Sequence, residues 1–165
     1  MDAVRYYGPE LLIYRCQAVT TTSGPSLIAA IEATVHRVLE ELDEELRDLG
    51  LTHGEMNALA VLEPDCAGTV ADLQSATGQR ASTLTGVLDR LERRGLVERR
   101  LNPRDRRSFT IALTDEGARA AERVTAAFAA FDRRALGVVS KRSVDGFFDV
   151  LKALDGQARR SGSAP

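Results

Sequence analysis

Arg104, Arg106 and Arg107, interleaved with Asp105 and preceded by Asn102-Pro103, form the densest run of guanidinium groups in the 165-residue chain. A guanidinium is a permanent cation with a planar donor fork, and its chemistry is the paired gripping of phosphate or carboxylate. From Thr77 to Thr110 nine arginines face only Asp89, Glu92, Glu98 and Asp105, a net +5, so with a total of −2 the rest of the chain carries −7. One region is built to meet a polyanion. Just upstream of the arginine run, Ser82, Thr83 and Thr85 offer small hydroxyls that reach phosphates or base edges without holding the backbone away, and Arg80 adds a cation. Other reactive types are sparse. His36, His53, Cys16 and Cys66 show no metal-ligand spacing, and no phosphate-binding glycine loop, nucleophile elbow or His/Cys/Asp cluster is present. The expectation is a binding protein with no cofactor, no metal and no enzymatic activity.

The elements that must carry these groups follow from periodicity. Ile28, Ile31, Val35, Val38, Leu42, Leu46 and Leu49 recur at helical steps and predict one long amphipathic helix ended by Gly50. Its stretch from Glu32 to Asp48 holds seven acids against Arg37 and Arg47, which turns it away from any polyanion. Thr52-His53-Gly54-Glu55 and Thr69-Val70-Ala71-Asp72 are capping-box patterns, each opening a short helix, the first closed by Pro64 and the second by Gly78. After Gly78, Leu84, Val87, Leu88 and Leu91 share one helical face, with Ser82, Thr85, Gly86 and Asp89 outward, until Gly95. Leu96–Leu101 and Ser108–Leu113 read as two strands of a hairpin whose tip is the arginine run. Thr114 caps a long helix with Ala121, Val124, Phe128, Phe131 and Ala135 on one face. Ser140 caps a last helix expected to bury Val144, Phe147, Phe148, Leu151 and Leu154.

This is mainly α with a small β-hairpin wing: a winged helix-turn-helix at about 52–113 flanked by long helices at about 26–49 and 114–156. Residues 1–24 read as an N-terminal arm with room for a short extra helix, and 157–165 as a flexible tail. An apolar content of 44% suffices for one domain, and the longest uninterrupted apolar run, Ala126 to Phe131, is far short of the roughly 18 residues of a membrane span. No export signal is evident, so a cytoplasmic protein with no membrane partner and two ordinary thiols is expected.

Five motifs in linked order, Ser82-Thr83-Leu84-Thr85, Asp89-Arg90-Leu91-Glu92, Arg94-Gly95-Leu96-Val97, Asp105-Arg106-Arg107 and Leu113-Thr114-Asp115-Glu116-Gly117, resemble the MarR (multiple antibiotic resistance regulator) family of transcription factors. The resemblance covers roughly residues 26–156. It implies a homodimer held by its first and last helices that binds a pseudo-palindromic double-stranded operator, usually represses, and is released by small phenolic or lipophilic ligands or by oxidants. The DNA-contact set it implies, together with the residue chemistry, is Arg80, Ser82, Thr83, Thr85, Arg90, Arg104, Asp105, Arg106 and Arg107. Phosphate repels Asp105, whose expected task is to orient an arginine, with Arg107 and Arg90 as candidates. Arg93, Arg94, Arg99 and Arg100 fit a salt-bridged surface at least as well as DNA contact, and the Thr83 hydroxyl fits capping or packing equally well.

Two positions depart from the family pattern. Arg80 stands where a small N-cap is frequent. Gly86 occupies a position where a polar reader is frequent, although a mid-helix glycine costs about 1 kcal/mol relative to alanine; close approach to DNA and sequence drift both account for it. By the same resemblance, His36, His53, Met56 and Phe128 neighbour an effector pocket, with packing as the competing role. Cys16 sits in the arm where an oxidant-sensing branch of the family keeps a cysteine, with an inert thiol as the alternative. Against the repressor stand two other classes: a winged-helix protein-interaction module without operator binding, and a thiol-based oxidant-sensing repressor. The operator, the regulated genes, the effector and the sign of regulation are not written in the sequence.

Overall fold

The computed structural model describes residues 26–62, 68–102 and 105–162, apart from the side chains of residues 105–107, 159, 161 and 162. The arm at 1–24 and both cysteines lie outside the described residues. The chain divides into two compact units, Met1–Glu41 and Leu42–Pro165. In the first, the described part is helical and belongs to α1 (Leu27–Glu45). There Leu27, Ile28 and Val35 are about half exposed, and the Thr34 hydroxyl donates to the Ala30 carbonyl at 2.8 Å.

The second unit begins with the last turn of α1, where Leu42 is buried, as is Leu46 just after the helix. The single helix expected to reach Gly50 is corrected here. The α-helix stops at Glu45, and Arg47–Leu49 form a 3-10 turn closed by Gly50 at φ +55°. Tightening the end of a helix in this way satisfies carbonyls that have no further turn to bond, as Gly50 N–H does for the Arg47 carbonyl at 3.0 Å. Then follow α2 (His53–Val61), β1 (Gly68–Thr69), α3 (Val70–Thr77), α4 (Ala81–Arg93), β2 (Val97–Asn102), β3 (Asp105–Leu113), α5 (Asp115–Leu136) and α6 (Lys141–Gly162).

Both capping boxes form at the expected threonines, and Thr114 caps α5 by accepting from Gly117 N–H at 3.0 Å. The expected hairpin is part of an antiparallel three-stranded sheet, β1-β3-β2. Its third strand, only two residues long, carries no alternation of its own; β3 imposes its pairing through Gly68↔Ile111 and Thr69↔Thr110. The hairpin strands also run closer to the tip than expected, so Asp105–Arg107 belong to β3 rather than to a turn.

Leu84, Val87, Leu88 and Leu91 of α4 are fully buried with Leu59, Ile111 and Ala121 in one core, which fixes which face of α4 can look outward. Gly117 permits the closest backbone approach in this lobe. An added Cβ would stand 1.7 Å from the Leu96 carbonyl oxygen, the same oxygen that accepts from Thr114 N–H at 3.1 Å.

The last helix corrects a second expectation. Phe147 and Phe148 of α6 are 49% and 54% exposed, and Val144, Leu151 and Leu154 only partly buried. A helical apolar stripe buries itself only against a complementary face, and this single chain leaves that stripe open. The helix also continues to Gly162, into the stretch expected to be a tail.

Candidate nucleic-acid interface

The outward face of α4 is built by what its inner face must do. With Leu84, Val87, Leu88 and Leu91 committed to the core, Ser82, Thr83 and Thr85 are exposed. Ser82 and Thr83 make no side-chain hydrogen bond among the described residues, so Thr83 neither caps nor packs. The Thr85 hydroxyl donates to the Ala81 carbonyl at 2.8 Å and keeps its lone pairs for a donor from outside. Arg80 occupies the N-cap with no side-chain cap bond, as its size suggests, and is exposed without an ion pair among the described residues. A Cβ added to Gly86 would meet only Arg90 Nη1, at 3.7 Å, so nothing in the chain's own packing requires a glycine there.

The arginines divide sharply. Arg99 pairs with Asp89 and with Glu92, the latter at 3.2 Å, and Arg100 pairs with Glu98. Arg94 donates to the Gly50 carbonyl at 2.8 Å and to that of Leu49. Arg93 donates to the Asp89 carbonyl of its own helix at 3.2 Å. Arg90 donates through Nε to Glu55 Oε1 at 2.9 Å. Arg104 lies outside the described residues, as do the side chains of Asp105, Arg106 and Arg107. The backbone places these last three at the start of β3, beside a register irregularity between Leu101 and Asn102.

Glu55 is the residue that sequence reading missed in this role. Its side chain is only 3% exposed. Burial pushes its carboxyl up, but the Thr52 backbone N–H at 2.7 Å, the Arg90 guanidinium and the Thr52 hydroxyl outweigh that and hold it below the ordinary 4.5. The Thr52–Glu55 spacing announces the cap. Nothing local announces a partner 35 residues away. On α5, Arg123 grips Asp48 with two bonds of 2.8 and 2.9 Å, and that hydrogen-bonded pairing holds the exposed Asp48 carboxyl low.

Of the residues assigned to an effector pocket, His53 and Met56 border a hollow of about 490 Å³ with Asp43, Leu46, Arg47, Gly50, Leu51 and Thr52. His53 Nε2 lies 2.7 Å from Asp43 Oδ2 across its rim. Phe128 is partly buried on α5 and does not line this hollow, and His36 is exposed on α1 facing Glu40. Among the described residues no group of His, Cys, Asp or Glu is placed to hold a metal, and no helix is long and apolar enough to cross a membrane.

Comparison with known proteins bears on what this geometry serves. A family model described as the MarR family matches residues 51–109. The HTH-type transcriptional repressor MdtR of Bacillus subtilis is 30% identical over 88 residues, 53% of this chain and 57% of that protein. The chain spans about half the length of the curated relatives it matches. Among solved structures, CouR from Rhodococcus jostii RHA1 bound to p-coumaroyl-CoA superposes with a TM-score of 0.69 at 27% identity, covering 81% of this chain and 95% of that one. The repressor CouR bound to a 23-mer DNA duplex has a TM-score of 0.66 at 24% identity, covering 79% and 92%, and shares the fold.

Proposed function

The chain belongs to the MarR family, and from that premise we propose that it is a dimeric, sequence-specific DNA-binding transcriptional regulator of the cytoplasm, a repressor released by a small ligand. It is a binding protein and not an enzyme. The observation that carries the proposal is α4: a helix whose four large apolar residues are fully used by the core and whose opposite face presents exposed hydroxyls at Ser82 and Thr83, without a side-chain hydrogen bond among the described residues. Such a face enters a major groove without a bulky side chain in the way. Arg80, a cation without an ion pair among the described residues and with no side-chain cap bond to the first turn of α4, suits an adjacent phosphate. In this reading Arg104, Arg106 and Arg107 supply the wing's grip on the backbone or the minor groove, with Asp105 orienting a neighbouring guanidinium.

The open stripe of α6 supports the dimer. Phe147 and Phe148 of α6 are exposed, and so are Leu136 at the end of α5 and Val138 and Val139 in the connection between the two helices, Val138 by 93%; exposed apolar residues of this kind mark interaction surfaces. A dimer would set two recognition helices ~34 Å apart, one turn of DNA, and so read a pseudo-palindrome. The hollow bordered by His53 and Met56 falls within the roughly 300–1,000 Å³ of small-molecule sites and lies where the first turn of α2 begins. We assign a small phenolic or lipophilic effector to this hollow; CouR, a structural neighbour, is bound to p-coumaroyl-CoA.

The test is a mobility shift and footprint on the DNA upstream of the protein's own gene, over a salt series. Saturable binding with a protected pseudo-palindrome is expected. No saturable binding at low salt overturns the reading.

A further inference from the structure

The two capping boxes solve the same problem with different acids. At α3 the acid is Asp72, whose single oxygen Oδ2 accepts from the Thr69 N–H at 3.0 Å and the Thr69 hydroxyl at 2.7 Å. At α2 it is Glu55, whose Oε2 accepts from the Thr52 N–H at 2.7 Å and the Thr52 hydroxyl at 3.0 Å. An aspartate therefore suffices for the cap. The extra methylene of Glu55 does something else: it carries the second oxygen, Oε1, to Arg90 of α4 at 2.9 Å, with Arg94 3.8 Å from Oε2. A carboxylate this dry is not held without a cation. The start of α4 is tied to the same turn of α2, since Gln79, just before it, donates from Nε2 to the Gly54 carbonyl at 3.3 Å.

We propose that Glu55 is a positioning residue for the recognition helix: Oε2 caps α2 while Oε1 sets the rotation of α4 by holding Nε of the partly exposed Arg90, so that Arg90 is committed to Glu55 and does not grip phosphate. The effect on operator affinity rests on the DNA-binding reading; the clamp itself does not.

Glu55→Asp separates the two tasks, because aspartate keeps the cap, as Asp72 does, and falls short of Arg90. In the free protein, hydrogen exchange of α4 amides is expected to quicken about tenfold, the loss of one charge-assisted hydrogen bond, while α2 stays protected. On DNA, measured by anisotropy against the operator and a random duplex over a salt series, operator affinity falls about tenfold and random-duplex affinity does not fall. R90Q keeps the wild-type salt slope, and E55D/R90Q binds operator no more weakly than E55D. A merely destabilised fold would lower both affinities together and would not be silent to the second substitution. Should E55D fail to fold, Arg90→Gln carries the exchange comparison, since it leaves both Thr52 bonds to Glu55 Oε2 in place and removes the guanidinium from Oε1: α4 amides are expected to quicken while α2 stays protected. The proposal is overturned if R90Q flattens the slope by about 0.9, the value of one phosphate contact, or if α4 exchange is unchanged. If the wild type fails to distinguish operator from random DNA, the DNA-binding reading has failed and the exchange of α4 alone decides: faster exchange supports the clamp, unchanged exchange removes it.

Discussion

Replacing Gly117 by alanine would place a Cβ 1.7 Å from the Leu96 carbonyl oxygen, 2.7 Å from its carbon and 3.2 Å from its Cα. These are backbone atoms and cannot swing away. Leu96 is held by its own N–H to the Leu91 carbonyl at 2.9 Å and by Thr114 N–H to its carbonyl at 3.1 Å. Restoring an ordinary C···O separation requires the start of α5 and the foot of β2 to part by roughly 1.6 Å. Overpacking of that kind costs about 1–3 kcal/mol. The Thr114–Leu96 hydrogen bond and the cap between Thr114 and Gly117 stand to lose about 1 kcal/mol each. Against this, alanine returns about 1 kcal/mol of helix propensity. The net expectation is a loss of about 2–4 kcal/mol, a large share of a typical domain's stability. Urea unfolding followed by circular dichroism measures it, with Gly86→Ala as the control. The methyl group at Gly86 meets only a flexible guanidinium at 3.7 Å, so that variant gains up to about 1 kcal/mol. A G117A protein as stable as the wild type, or shifted in the same direction as G86A, would refute the reasoning.

Arg106→Ala is expected to weaken binding to every duplex and to flatten the salt slope by about 0.9; parallel salt titrations of wild type and variant decide it, and an unchanged slope removes Arg106 from the contact set. Phe148→Asp, on the open stripe of α6, is expected to shift sedimentation from dimer to monomer while leaving helix content intact, and a persistent dimer would move the interface elsewhere. The carboxyl of Glu55 is held below its ordinary 4.5 when folded, so it contributes stability above that value and loses the contribution as pH falls through the lowered one. The stability difference between wild type and E55Q, read from urea midpoints, therefore narrows as the pH falls below 4.5. A gap that is constant from neutrality to acid contradicts the assignment.

Much of this arrangement is legible in the sequence where a rule is local. Thr52, Thr69 and Thr114 cap their helices because cap and recipient lie three residues apart, and Leu84, Val87, Leu88 and Leu91 go inward because helical spacing puts them on one side. What escaped is non-local. A two-residue strand at Gly68–Thr69 exists only because β3 pairs with it. The partner of Glu55 lies on another helix, and the obligation on Gly117 comes from the Leu96 carbonyl, just before β2. The stripe of α6 was read correctly as apolar and wrongly as buried, since periodicity shows that a face seeks cover and not whether its own chain supplies it.

The same distinction governs the charge. A net +5 between Thr77 and Thr110 is a property of composition, whereas a field at the DNA surface depends on which guanidiniums remain unneutralised. Arg90, Arg99 and Arg100 each face a carboxylate at bonding distance, and Arg94 bonds to backbone carbonyls. Around α4 that leaves two cations without a carboxylate among the described residues: Arg93, which bonds the Asp89 carbonyl of its own helix, and Arg80, which has no partner there and sits at the end where the helix dipole is also positive. The helix is thus cationic at its start, beside the outward hydroxyls of Ser82, Thr83 and Thr85 in its first turns. On the DNA-binding function proposed above, base discrimination and phosphate attraction share that end, and the steep part of the salt dependence falls to Arg80 and the wing rather than to the arginines that pair with carboxylates.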